Sequence, residues 1–173
     1  MFDNLSTFND VKKFYDIKHD NYILITQDEL NDREHKGIIT IEGNAERVAE
    51  LIELAHDTYT SVLKYNDENS LSCVLTMAYF TAPGYYNIIR ELPAGKGFAD
   101  FAFIPRSNAG YRPAMIVELK YKKSADTAIK QIKEKNYHGA LAGYSDKILL
   151  VGISYDVEGK DKKHHTCVIE ELH

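Results

Sequence analysis

Three ionisable residues stand where buried β-strands normally tolerate none. Asp100 lies in GKGFADFAFIP, and Glu118 and Lys120 lie in PAMIVELKY, two apolar runs rich in β-formers. Charge in such a setting needs compensation. Side chains alternate along a strand, so Glu118 and Lys120 share one face while Met115, Val117 and Leu119 take the other. If the Asp100 strand lies alongside, its carboxylate meets that of Glu118 across the sheet. Two carboxylates a few ångströms apart repel and take up a proton unless a cation lies between them. The pattern points to a divalent-metal site with a lysine beside it.

That combination suits phosphodiester hydrolysis. A hard cation on oxygen ligands lowers the pKa of bound water and acts as a Lewis acid. An ammonium within hydrogen-bond range adds directed positive charge in a partly dehydrated cleft. Carboxylates suit magnesium or manganese better than zinc. Taken singly, each signal also has a structural reading: Glu118 and Lys120 as a solvated pair on an exposed strand face, and Asp100 as the cap of a turn after Gly97.

The elements that must position these residues follow from periodicity. Asn44 is a suitable N-cap for a helix whose Val48, Leu51, Ile52, Ala55, Tyr59, Val62 and Leu63 fall on one face. A second helix is predicted over Glu68 to Thr81, with Leu71, Val74, Leu75, Ala78 and Ala82 as its stripe and Ala82-Pro83-Gly84 as its stop. Strands are predicted over Tyr85 to Leu92, Phe98 to Ile104 and Ala114 to Tyr121, the first two joined as a hairpin through Pro93 to Gly97. Ser124 or Asp126 can cap a helix through about Asn136 that continues irregularly to Tyr144. Lys147 to Ser154 reads as a buried strand, and His165 to Glu170 as a last, edge strand. Ahead of these, a helix over Asp10 to Tyr15 and strands over Tyr22 to Thr26 and Gly37 to Glu42 are the weakest patterns. Residues 1–43 are read as an N-terminal arm or subdomain, and 44–173 as the domain that carries the chemistry.

The order αβββαβ, an Asp on the second strand and Glu118-Leu119-Lys120 on the third resemble the core of the PD-(D/E)XK nuclease superfamily. The run from Tyr65 to Glu170 is similar, more narrowly, to the nuclease-like domain found C-terminal to AAA-type ATPase domains in bacterial predicted ATPases. YNDENSL, IIRELPAGKGFAD, ELKYKKSADTAIKQIKEKNY and HHTCVIE carry that likeness. The resemblance implies an α/β, restriction-endonuclease-like fold with a mixed central sheet flanked by helices. It implies Glu68, Asp100, Glu118 and the Leu119 carbonyl as ligands of Mg²⁺, with Mn²⁺ substituting. It implies Asp100, Glu118, Lys120 and Gln131 as catalytic residues, Lys120 orienting the attacking water. Lys122, Lys123 and Tyr137 would meet nucleic acid, and Glu91 matches an acid just before the hairpin.

DNA is the implied substrate, RNA its alternative, with a homodimer and an ATPase as implied partners. The competing reading is a non-catalytic nucleic-acid-binding or protein-interaction module of the same fold; an unrelated α/β domain with structural strand charges is a third. The sequence departs from the family pattern at Ala99, where the superfamily's namesake Pro would stand, and at Phe98, where many relatives carry Arg. No GxxxxGK[ST] loop occurs in the chain.

Composition narrows the classes. Lys+Arg 21 against Asp+Glu 26 gives a net charge of −5, which argues against coating nucleic acid by bulk electrostatics while permitting a local basic groove. Lys130, Lys133 and Lys135 read as a solvated helix face, and Lys160, Lys162 and Lys163 as loop charges, with phosphate contact as the alternative for both groups. His164 and His165 read as loop histidines in preference to metal ligands, and Cys73 and Cys167, far apart and without CxxC spacing, as buried thiols. With no apolar run long enough for a membrane span and no signal-peptide layout, a cytoplasmic location is expected.

Overall fold

The computed structural model describes residues 38–59, 68–79, 82–145, 147–156 and 164–172. The expected helix over Asp10 to Tyr15 and strand over Tyr22 to Thr26 lie outside these residues, as do Val62, Leu63, Thr81, Lys160, Lys162 and Lys163. The elements are α1 (Ala45–Tyr59), α2 (Glu68–Ala78), β1 (Tyr86–Ala94), β2 (Gly97–Pro105), β3 (Ala114–Tyr121), α3 (Ala125–Glu134), β4 (Ile148–Tyr155) and β5 (His165–Leu172). Asn44 caps α1 through its side chain, which accepts the Arg47 N–H at 3.1 Å, and Ser124 caps α3 by accepting the Thr127 N–H at 3.3 Å.

The strands form one sheet in the order β1-β2-β3-β4-β5. β3 and β4 run parallel through the α3 crossover, and the other neighbours are antiparallel. The α/β class and mixed sheet expected from the sequence are therefore present. Alternation splits the core into two layers. On one face, Phe101, Phe103, Met115, Val117, Leu119, Val151 and Ile153 pack against Val48, Ile52, Leu71 and Leu75 of α1 and α2. On the other, Ala102, Ile104, Ile116 and Leu150 pack against Ile129 and Ile132 of α3 and against Tyr137 and Leu141 in the 3-10 turn that follows it.

Two expectations about the elements are corrected. Ile38–Ile41 forms a helical turn, not a strand. Its Thr40 hydroxyl bonds the buried Tyr79 hydroxyl at 2.7 Å, and Gly43, at φ 75°, reverses the chain so that its N–H returns to the Thr40 carbonyl. The α-helix after Ser124 stops at Glu134, because Asn136 takes the left-handed conformation at φ 56° and the chain tightens into the 3-10 turn Tyr137–Leu141. Among the side chains, Cys73 is exposed and so is not the buried thiol expected, whereas burial pushes the Cys167 thiol up to about 12.

The crossover helix lies close to the sheet at Gly152 of β4. A Cβ there would sit 2.4 Å from the Ala125 carbonyl oxygen and 3.1 Å from Ala128 Cβ. Main-chain atoms cannot rotate away, so Gly152→Ala is expected to push α3 off β4 and cost about 1–3 kcal/mol. A denaturant midpoint equal to that of the unaltered protein would contradict this close approach.

Candidate active site

The site sits where β2 and β3 part. Their pairing runs from Phe103↔Met115 to Phe101↔Val117. One further step would set Asp100 opposite Glu118, but the ladder ends there. Asp100 Oδ2 instead accepts the Leu119 N–H at 2.7 Å, satisfying a strand amide whose main-chain partner has moved off. On the outer side of β2, Arg90↔Phe101 and Leu92↔Ala99 bracket Glu91 and Asp100, which occupy the position between them. Glu91 holds φ 51°, a left-handed conformation that costs a residue other than Gly or Asn roughly 1–2 kcal/mol. Successive strands thus bring Glu91, Asp100 and Glu118 side by side.

Glu118 and Lys120 are 3% and 6% exposed, buried on the α3 face as the alternation requires. Lys120 Nζ donates to Glu118 Oε1 and to the Leu119 carbonyl, each at 2.8 Å, and lies 3.9 Å from Glu68 Oε1 at the start of α2. Gln131 of α3 donates through Nε2 to Glu118 Oε1 and to the Tyr137 hydroxyl, the latter at 3.2 Å. The hairpin tip is fitted closely to this corner: a Cβ on Gly97 would lie 2.8 Å from the Tyr137 hydroxyl, and Lys96 N–H bonds the Lys135 carbonyl at 3.0 Å.

Electrostatically the corner is overloaded with acid. Burial pushes Glu118 up to about 7; Lys120 opposes the rise and the Asp100 charge adds to it. Burial also raises Asp100, against the Leu119 amide and Lys120, with the charges of Glu68 and Glu91 pushing the same way as burial. Glu118 Oε2 is buried without a hydrogen-bond partner. A carboxylate oxygen so placed has lost its water and gained nothing in return. An oxygen-seeking divalent cation would satisfy such an oxygen.

Of the residues expected from the sequence, Glu68, Asp100, Glu118, Leu119, Lys120 and Gln131 come together here. Lys122 and Lys123 lie just beyond β3, both exposed, Lys122 with Nζ 5.2 Å from the Tyr121 ring centroid. Tyr137 is 1% exposed, and its hydroxyl accepts from Gln131 beside the acid corner. Sequence reasoning gave no account of Glu91's backbone, which no side-chain pattern signals. It also passed over Glu53 and His56 on α1, which meet His165 across 112 and 109 positions of chain.

Comparison with known families finds the PD-(D/E)XK nuclease superfamily over residues 66–165, from just before α2 to the first residue of β5. No curated protein matches the chain. The matched span contains the parted strands, the Glu-x-Lys of β3 and the α3 crossover, and members of this superfamily generally are phosphodiesterases that use divalent metals. The chain belongs to the PD-(D/E)XK nuclease superfamily.

Proposed function

We propose that the protein is a divalent-metal-dependent nuclease hydrolysing phosphodiester bonds in DNA, with RNA as the alternative substrate. The observation that carries the reading is the buried, unpartnered Oε2 of Glu118 beside Asp100 and Lys120. Asp100, Glu118, the Leu119 carbonyl and Glu68 would hold Mg²⁺, or Mn²⁺ in its place. When bound, the ion supplies Lewis acidity at the phosphate and lowers the pKa of water.

The chain's own residues account for the rest. The Lys120 ammonium stands 2.8 Å from Glu118 and is placed to orient a water and to offset charge on a phosphoryl oxygen. Gln131, steadied by the Tyr137 hydroxyl, holds Glu118 Oε1 and leaves the other carboxylate oxygen without a hydrogen-bond partner. Lys122 and Lys123 supply exposed positive charge for the strand's phosphates. A second copy of the chain would serve the opposite strand of a duplex, and an associated ATPase would serve to move or present it.

The second reading is a non-catalytic module of the same fold, favoured by the Lys120 contacts: an acid already neutralised by an internal ammonium needs no ion. Cleavage of plasmid and single-stranded DNA, and of RNA, with and without Mg²⁺ or Mn²⁺ separates the two. Metal-dependent nicking by the unaltered protein that disappears in Asp100→Ala supports the nuclease. Mn²⁺ binding without cleavage of any of these substrates favours the module.

A further inference from the structure

On the sheet face away from the candidate active site, Glu53 and His56 of α1 meet His165 at the start of β5. One ligand atom from each lies within 4.8 Å of the others. Both histidines are buried, at 4% and 3% exposure. We propose that Glu53, His56 and His165 form a second metal site, for a zinc-class transition ion, that clamps α1 to the edge strand β5.

The donor set differs in kind from the first site. Two imidazoles and a carboxylate are the ligands of Zn²⁺ and Co²⁺, whereas the oxygen-only corner by Lys120 suits Mg²⁺. Groups sharing one such ion at about 2 Å each lie no more than about 4 Å apart. Closing from 4.8 Å takes less than about 1 Å of side-chain rotation per pair.

The surroundings already orient these donors. Glu53 Oε2 accepts from the His164 and His165 main-chain N–H groups, each at 2.9 Å, and lies 2.8 Å from His165 Nδ1. His164 Nδ1 lies 2.8 Å from the other oxygen. The His56 ring stands edge-on to His165 and Tyr155, with centroids 5.2 and 5.1 Å away, which fixes its plane. A groove of about 420 Å³ between α1 and β5, with Glu46 and Glu50 on its wall, reaches Glu53 and His165.

The test uses the full chain stripped with a chelator, alongside the Asp100→Asn/Glu118→Gln protein in which the acid corner is disabled. Co²⁺ is titrated in excess Mg²⁺ and followed by its visible d–d absorption. The expected result is one equivalent in both proteins, displaced by Zn²⁺, with affinity lowered more than about 100-fold in His165→Gln and in His56→Phe, which keeps the ring packing. Absence of Co²⁺ binding in the Asp100→Asn/Glu118→Gln protein, or undiminished binding in His56→Phe, overturns the proposal. Should those histidine variants fail to fold, anomalous scattering from Zn²⁺-soaked crystals of the unaltered protein decides. A peak between His56 and His165 supports the site; a peak elsewhere, or none, rejects it.

Discussion

Lys120→Met is expected to lower the turnover number of Mg²⁺-supported cleavage by about 100-fold or more while Mn²⁺ binding is kept or tightened. The two effects should diverge because, in the proposed reaction, the ammonium would act on both partners. It sits 2.8 Å from the Glu118 carboxylate and from the Leu119 carbonyl, and 3.9 Å from Glu68, so it competes with an incoming cation for the same oxygens. Removing it would strengthen the field that attracts the ion, yet take away the one lysine or arginine that is buried among the described residues. Methionine preserves the length of the stem and so limits loss of packing. Mn²⁺ affinity from calorimetry and kcat from a fluorescent oligonucleotide give the comparison. If both fall together, Lys120 serves the architecture of the corner rather than its chemistry.

Metal-free protein should lose stability as pH rises from about 4.5 to about 7, by an amount on the order of 2–3 kcal/mol. Over that interval the folded state keeps a proton on Glu118 that the unfolded chain has released, so each step upward in pH favours unfolding. Asp100, raised by burial as well, acts in the same direction. Glu53 does not confuse the result: its value is depressed to about 2, so its contribution is complete above about 4.5 and is lost only in more acid solution. Saturating Mg²⁺ should invert the trend, because cation binding requires the ionised carboxylates and adds stability as they form. Glu118→Gln, which cannot titrate, should flatten the metal-free profile. Urea midpoints taken across this window, with Mg²⁺ and with chelator, supply the measurement. A level metal-free profile in the unaltered protein would mean that Glu118 stays hydrated.

Local pattern carried the elements well where burial was one-sided or complete. The helical stripes Val48–Leu51–Ile52 and Leu71–Val74–Leu75 and the fully buried β4 follow directly from apolar spacing. The acid corner was legible for a different reason: charge within Phe98 to Ile104 and Ala114 to Tyr121 contradicts its surroundings, and that contradiction marks a site. What local pattern could not give were features set by distant partners. Ile38–Ile41 has β-branched composition, but the Thr40–Tyr79 hydrogen bond and the reversal at Gly43 decide for a helical turn. Tyr137 enters the sequence reading only through the family likeness, and it is the left-handed Asn136 that sets it beneath the hairpin at Gly97. Glu53 and His56 look like ordinary polar positions on a helix, and only the return of β5 beside α1 gives them His165 as a neighbour.

The end of pairing between β2 and β3 gives the protein a reporter of its own. The Leu119 amide proton has a carboxylate oxygen, 2.7 Å from its nitrogen, as its acceptor, where its neighbours along the ladder have peptide carbonyls. Its resonance frequency and its rate of exchange with deuterated solvent therefore track whatever Asp100 holds, be it nothing, a proton or an ion. One peak in a two-dimensional amide spectrum follows that occupancy without substrate, label or turnover.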